Sequence, residues 1–383
     1  MIYLFFVFIC FFLWTLNHYI KSIKFDFILL LILLVFMSSI VVAPDIENYK
    51  FDFVFSKNRH SPYFGFVAIN HFFYNLNLSF YQFYMLYHGI CIILVFLSIQ
   101  LIFNKSLTCI FFYLAYPFLL NVTQIKNFAM MALMLLGFSL CYRCKSYKNE
   151  IILWISLIFL AGSQHVAGFA YLPFIFVKGK IKYLEKLPII MFVITSLFIL
   201  ASGDILTIIL RPLLLLTMDE SYKVTKFATK GTSLGAYIYI IQSILMIYIA
   251  KKTMILETFY RKNCVNKVFY TDSNKCFTQY VYEFVLFSTL FWPLFVSSTL
   301  YSRLIENQMI LIYIAIIFLF SSYNQLKTCV NEFFLKDFYF KILSIFGILM
   351  FFNLYTLWIS HWEDVVVEIM NNLKPFYVFT TNS

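Results

Sequence analysis

Apolar runs almost free of charge, each about as long as a bilayer is thick, recur along almost the whole chain, and nothing else in the sequence constrains the fold as strongly. A helix rising 1.5 Å per residue needs about 20 apolar residues to cross the hydrocarbon core. Runs of that order stand at residues 2–16, 27–43, 80–103, 106–121, 127–142, 187–203, 234–250, 281–300, 307–325 and 342–360. With 62% of residues hydrophobic and 12% charged, the chain is not a soluble one. In lipid, every backbone N–H and C=O must be satisfied within its own segment. The expected fold class is therefore all-α, a polytopic integral membrane protein of about ten spans. The first run, Ile2 to Leu16, has no basic stretch before it and no small-residue cleavage site after it, so it reads as a retained span rather than a signal peptide.

Between 151 and 177 the pattern changes. Two apolar pieces of about a dozen residues flank Gly162-Ser163-Gln164-His165, and neither piece spans the core comfortably alone. A short re-entrant helical hairpin is the natural reading, with His165 at its apex.

The charges test that reading. If the hairpin returns to its own side, the loops at 17–26, 104–105, 143–150, 178–186, 251–280 and 326–341 share one face. That face holds 19 of the 29 Lys and Arg and 8 of the 18 acidic residues (Glu283 counted there), so it carries the entire net charge of +11. Basic loops stay cytoplasmic, so both termini are expected outside the cytosol. A single ordinary span over 151–177 would split the basic loops 143–150 and 178–186 between the two sides. The net charge is thus a topology signal, and no nucleic-acid partner is expected. Neither a linker nor an internal repeat is visible. The chain reads as a single membrane domain, 1–383, with extracytoplasmic loops at 44–79 and 204–232; the first mixes charge with aromatics in the manner of an interfacial helix.

Under this topology the unusual polar residues gather on the extracytoplasmic side. Asp45 and Tyr49 follow the second span, Lys126 and Asn127 open the fifth, and His165 tops the hairpin. Arg211, Lys223, Lys226 and Lys230 lie in the loop 204–232, and Arg303 falls between two spans with almost no loop to keep it in water. Ionisable groups at membrane depth cost about 2.5–3.5 kcal/mol on insertion scales, so they mark cavities and substrate paths. Guanidinium and ammonium groups suit a phosphate or diphosphate, by bidentate forks or as point charges, and stabilise charge building on a leaving diphosphate. A carboxylate or imidazole beside them can take a proton from an attacking hydroxyl.

No dinucleotide fingerprint, P-loop, zinc-protease HExxH or nucleophile elbow is present, which sets aside soluble-type ATPase and hydrolase chemistry. Cys141 and Cys144 form a CYRC pair, but no second pair completes a zinc set, so they read as membrane-buried or reduced thiols. Neither a metal nor another cofactor is expected.

These same residues carry a resemblance to the EpsG-like, Wzy-type repeat-unit polymerases of bacterial surface polysaccharides. Ala43-Pro44-Asp45 with Tyr49 is similar to that family's acidic residue and tyrosine after the second span. Ile125-Lys126-Asn127-Phe128-Ala129 resembles its I-R-Q-x-x-A element, with Lys-Asn standing for Arg-Gln. Ser163-Gln164-His165-Val166-Ala167 matches a histidine among small residues, Arg303-Leu304 a late R-L element, and Lys374-Pro375-Phe376-Tyr377 a proline–aromatic close. The resemblance implies an enzyme in the bacterial inner (cytoplasmic) membrane with its active site facing the periplasm or cell exterior. It implies transfer of a growing glycan from undecaprenyl diphosphate to the hydroxyl of a fresh lipid-linked unit, giving O-antigen, capsule or exopolysaccharide. On that reading His165, Asp45 and Arg303 are the candidate catalytic residues. Lys126, Arg211, Tyr49, Asn127 and Lys223 are the candidate substrate- and diphosphate-binding residues. The implied partners are the undecaprenyl-diphosphate-linked donor and acceptor, membrane lipids, a chain-length regulator and a flippase. The alternative is a flippase or transporter of the same lipid-linked oligosaccharide; such proteins commonly show two similar halves, and none are evident here.

Overall fold

The computed structural model describes residues 28, 31–36, 39–40, 45–55, 63–102, 106–200, 233–263, 276–297, 301, 303–327, 332–359, 368–369 and 372. Helix dominates these residues, and no strand occurs among them. Their contacts group into two compact units, 1–172 with 355–383, and 173–354.

In the first unit, α1 (Ile46–Val54) and α2 (Phe64–Asn75) form a short hairpin ahead of α3 (Phe80–Ile102). Helices α4 (Ser106–Ala115) and α5 (Phe118–Thr123) follow, then α6 (Ile125–Arg143) and α7 (Tyr147–Gln164). Helix α6 is the centre of this unit: it packs between α3 and α7, and 78% of its apolar window is buried. A helix apolar all round is stable only where protein or lipid covers every face, and here protein covers most of it.

After α7 the chain turns at His165 into a 3-10 segment, Val166–Tyr171, that lies back on the helix it came from. Two glycines allow this approach, because a Cβ on Gly168 would lie 2.7 Å from the Gly162 nitrogen and one on Gly162 would meet the Phe169 ring at 2.6 Å. The indole N–H of Trp154 donates to the Tyr171 carbonyl at 3.2 Å and fastens the return. The break falls where the sequence placed it, but its first limb is a full 18-residue helix and not a piece of about a dozen.

The second unit contains α8 (Phe174–Val177), α9 (Ile181–Leu184), α10 (Leu187–Leu200) and the long α11 (Ser233–Asn263). It continues through α12 (Phe277–Ser288), α13 (Leu294–Ser297), α14 (Arg303–Glu306), α15 (Met309–Leu326) and α16 (Glu332–Ile359). The apolar window over 303–323 is 83% buried and forms this unit's centre, whereas only 11% of the window over 181–200 is buried, which leaves that helix for lipid to cover.

Six helical stretches among the described residues are long and apolar enough to cross a membrane: 80–102, 125–143, 181–200, 235–262, 303–323 and 332–355. They match six of the ten expected spans. The run at 106–121 is interrupted at Tyr116-Pro117, where proline removes a backbone donor, and the run at 281–300 breaks after Ser288 into shorter pieces. The run at 2–16 and about half of 27–43 lie outside the described residues. The chain is a multi-pass membrane protein, and the count of about ten spans is not reached within what the structure describes.

Candidate functional site

A break in the helical backbone presents Lys126. Gln124 leaves the helical region (φ −118°, ψ 67°), ending α5 and starting α6 one residue later. Carbonyls at the end of α5 thereby lose their helical donors and need others. The Val122 carbonyl accepts from the Tyr84 hydroxyl at 2.9 Å, and His88 Nε2 stands 3.0 Å from the same oxygen. Across the break, the Asn127 amide donates to Asn121 Oδ1 at 3.3 Å. Lys126 is thus the second residue of a helix whose start is pinned from α3 and α5.

Its ammonium meets Asp52 of α1, with Nζ 2.8 Å from Oδ2. The side chains are 14% and 9% exposed, so the pair is largely out of water. Three rings surround the same nitrogen: Tyr63 at 4.6 Å, Phe66 at 4.7 Å and Tyr49 at 5.4 Å to their centroids. Desolvated contacts of this kind are worth up to about 2 kcal/mol each. Tyr49 and Asp52 share one face of α1 by their i, i+3 spacing, while Tyr63 and Phe66 are spaced likewise at the start of α2.

Tyr63 also reaches the hairpin apex, where its ring centroid lies 5.5 Å from that of His165. Gly65 permits the close approach of α2 to the end of α7, since a Cβ there would fall 2.1 Å from Ser163 Oγ. The neighbouring Gln164 accepts from the buried Tyr87 hydroxyl at 2.6 Å, which anchors the end of α7 to α3. His165 itself is extended (φ −146°, ψ 121°), and its Nδ1 accepts from the Ala167 N–H at 3.3 Å. A neutral imidazole held this way carries its proton on Nε2 and offers a donor.

The structure therefore brings together Lys126, Tyr49 and His165, which the sequence had singled out, and adds Asp52, Tyr63 and Phe66, which it had not. Asn127 is buried and spans the backbone break. Asp45 sits at the N-cap of α1, half-buried and without a side-chain capping bond, two helical turns before Asp52. Arg303 belongs to the second unit, as the first residue of α14 at the head of that unit's most buried apolar stretch. Arg211 and Lys223 lie outside the described residues. The missed carboxylate had a signal: Asp52 follows Tyr49 by three residues in a segment, IENYKFDFV, that alternates charge with aromatics.

Electrostatically the cluster is an ion pair walled by rings, with a hydrogen-bond donor at its edge. Such a group can hold an anion on the lysine, stack sugar faces on the rings and offer a carboxylate to a hydroxyl. No group of three or more His, Cys, Asp or Glu among the described residues is arranged to hold a metal ion.

Comparison with known proteins gives one result. The family model described as the EpsG family matches residues 24–363, which is most of the chain. No curated protein matches, and no solved structure does.

Proposed function

The chain belongs to the EpsG family of Wzy-like polysaccharide polymerases, and on that premise we propose that it joins lipid-linked oligosaccharide repeat units at the outer face of the bacterial cytoplasmic membrane. The donor is a growing glycan on undecaprenyl diphosphate, the acceptor is the terminal hydroxyl of a fresh lipid-linked unit, and undecaprenyl diphosphate is the leaving group.

One observation carries the reading: the Lys126–Asp52 pair under Tyr49, Tyr63 and Phe66, with His165 beyond Tyr63. Glycosyl transfer from a lipid diphosphate needs charge stabilisation at the leaving group, ring faces to orient sugars, and an acceptor for the hydroxyl proton. The cluster supplies all three within one short hairpin and two helix ends. In this reading Lys126 engages the diphosphate and the rings orient the sugars. His165 steadies a sugar or phosphate oxygen through its Nε2–H. From the sequence, Arg303 stays a further candidate catalytic residue, and Arg211 and Lys223 further candidate diphosphate-binding residues.

The test is complementation of a deletion strain. Wild-type chain restores a ladder of repeat-unit lengths on the cell surface, whereas K126A and H165A, expressed at equal level, leave single repeat units. Long chains from both variants would defeat the assignment. Accumulation of lipid-linked units on the cytosolic leaflet of the deletion strain would support the flippase instead.

A further inference from the structure

We propose that Asp52 is the general base of this site, and that the diphosphate frees it by drawing Lys126 away. The inference rests on the polymerase reading above and names a catalytic residue within it.

Three described residues near the site offer a proton acceptor. Asp45 stands at the beginning of α1, and seven residues of helix, about 10 Å along the axis, separate it from Asp52. It is Asp52 that meets Lys126. His165 has committed Nδ1 to the Ala167 N–H, and Nε2 then carries the proton. In that state it holds an oxygen and does not deprotonate one. Asp52 accepts only, lies among the rings, and is within reach of whatever the lysine binds.

In the resting arrangement the ammonium occupies Asp52 Oδ2 at 2.8 Å, and that lone pair is not open to a hydroxyl. A diphosphate carries more negative charge than a carboxylate and competes for the same ammonium. Once Lys126 turns to the diphosphate, Asp52 is left as a carboxylate beside an anion in a poorly solvated pocket. Taking a proton relieves that repulsion, so donor binding itself makes Asp52 more basic. The acceptor hydroxyl oxygen then bonds to the donor's anomeric carbon. The bond from that carbon to the diphosphate oxygen breaks, and its electron pair leaves with the diphosphate. The hydroxyl proton passes to Asp52, which returns it to water and pairs again with Lys126.

The experiment uses the purified full-length chain in nanodiscs, with farnesyl diphosphate as the binding probe and undecaprenyl-diphosphate-linked repeat units as substrate. In D52N the amide oxygen can still accept from Lys126, but the competing negative charge is gone. D52N is expected to bind farnesyl diphosphate several-fold more tightly than wild type while forming polymer about 100-fold more slowly or worse. D52E is expected to recover part of the rate. Among the described residues, the titratable groups that share this cluster with Asp52 are Lys126 on α6, Tyr49 on its own helix, Tyr63 on α2 and, beyond Tyr63, His165. The acid limb of the wild-type pH–rate profile should be absent from the residual D52N activity. A purely structural pair would instead give weaker farnesyl diphosphate binding in D52N, and that result overturns the proposal. So does D52N polymerisation within about threefold of wild type. Diphosphate binding without any polymer from the wild-type chain would overturn the polymerase reading, and the base assignment with it.

Discussion

Lys126 Nζ and Asp52 Oδ2 lie 2.8 Å apart although 74 residues separate them in the chain. The pair closes the α1–α2 hairpin onto the start of the central helix α6. Its strength is a consequence of its surroundings: both side chains are mostly out of water, and the rings that exclude solvent also face the ammonium.

Breaking such a pair from one side leaves an uncompensated charge, which costs about 3–5 kcal/mol when burial is complete and less here, where some exposure remains. D52A and K126A are therefore each expected to lower the melting temperature in detergent. The double variant D52L/K126M removes both charges and should melt close to wild type. It should nevertheless make no polymer, which separates folding from chemistry in one comparison.

Gly65 is expected to be indispensable for bringing Tyr63 to His165. A Cβ at this position would sit 2.1 Å from Ser163 Oγ and 2.7 Å from Ser163 Cβ, so G65A must push α2 off the end of α7. We expect G65A to insert normally yet lose ladder formation. S163G in the same chain should recover part of it, since it removes both Ser163 atoms while the Gln164 amide nitrogen at 2.6 Å still has to give.

In the second unit, Glu257 is fully buried and caps α12. It accepts from the Thr278 N–H at 2.8 Å, the Thr278 hydroxyl at 2.7 Å and the Phe277 N–H at 3.2 Å, and it pairs with Arg261 at 2.8 Å. Replacing it with alanine strips those donors and leaves Arg261 without this carboxylate, a loss of about 2–4 kcal/mol. The expected result for E257A is faster proteolysis between α11 and α12, read by limited digestion of membranes.

Beside that cap, burial, with the Glu257 carboxylate as a second cause, pushes the Cys276 thiol up to about 12. The reactive species is the thiolate, which at pH 8 amounts to about one part in ten thousand of such a group. Iodoacetamide at pH 8 should leave Cys276 unmodified in the folded protein and label it fully after unfolding. Rapid native labelling would contradict this description of its surroundings.

The sequence and the structure agree most where physics leaves few options. Helical spans are forced by the backbone's need for internal hydrogen bonds, so six of them could be placed from apolar length alone. His165 drew attention in the sequence because it interrupts an apolar run together with Gly162, Ser163 and Gln164. Asp52 did not, because its partner lies 74 residues away and its one local signal, the three-residue spacing from Tyr49, does not point to that partner. Tyr63 and Phe66 were hidden by the abundance of aromatics, 49 Phe and 28 Tyr, which makes any single ring uninformative until its neighbours are known. The interruption at Tyr116-Pro117 follows from the proline, which apolar length does not weigh, and apolar length does not encode the break after Ser288 either.

The most direct measurement is polymer formation by the purified chain reconstituted in vesicles and supplied with undecaprenyl-diphosphate-linked repeat units as the only glycan. The account predicts a ladder of products with release of undecaprenyl diphosphate from the wild-type chain, and single units alone from K126A. A wild-type chain that moves the lipid-linked units across the bilayer without lengthening them, or a K126A ladder equal to the wild-type one, would contradict it.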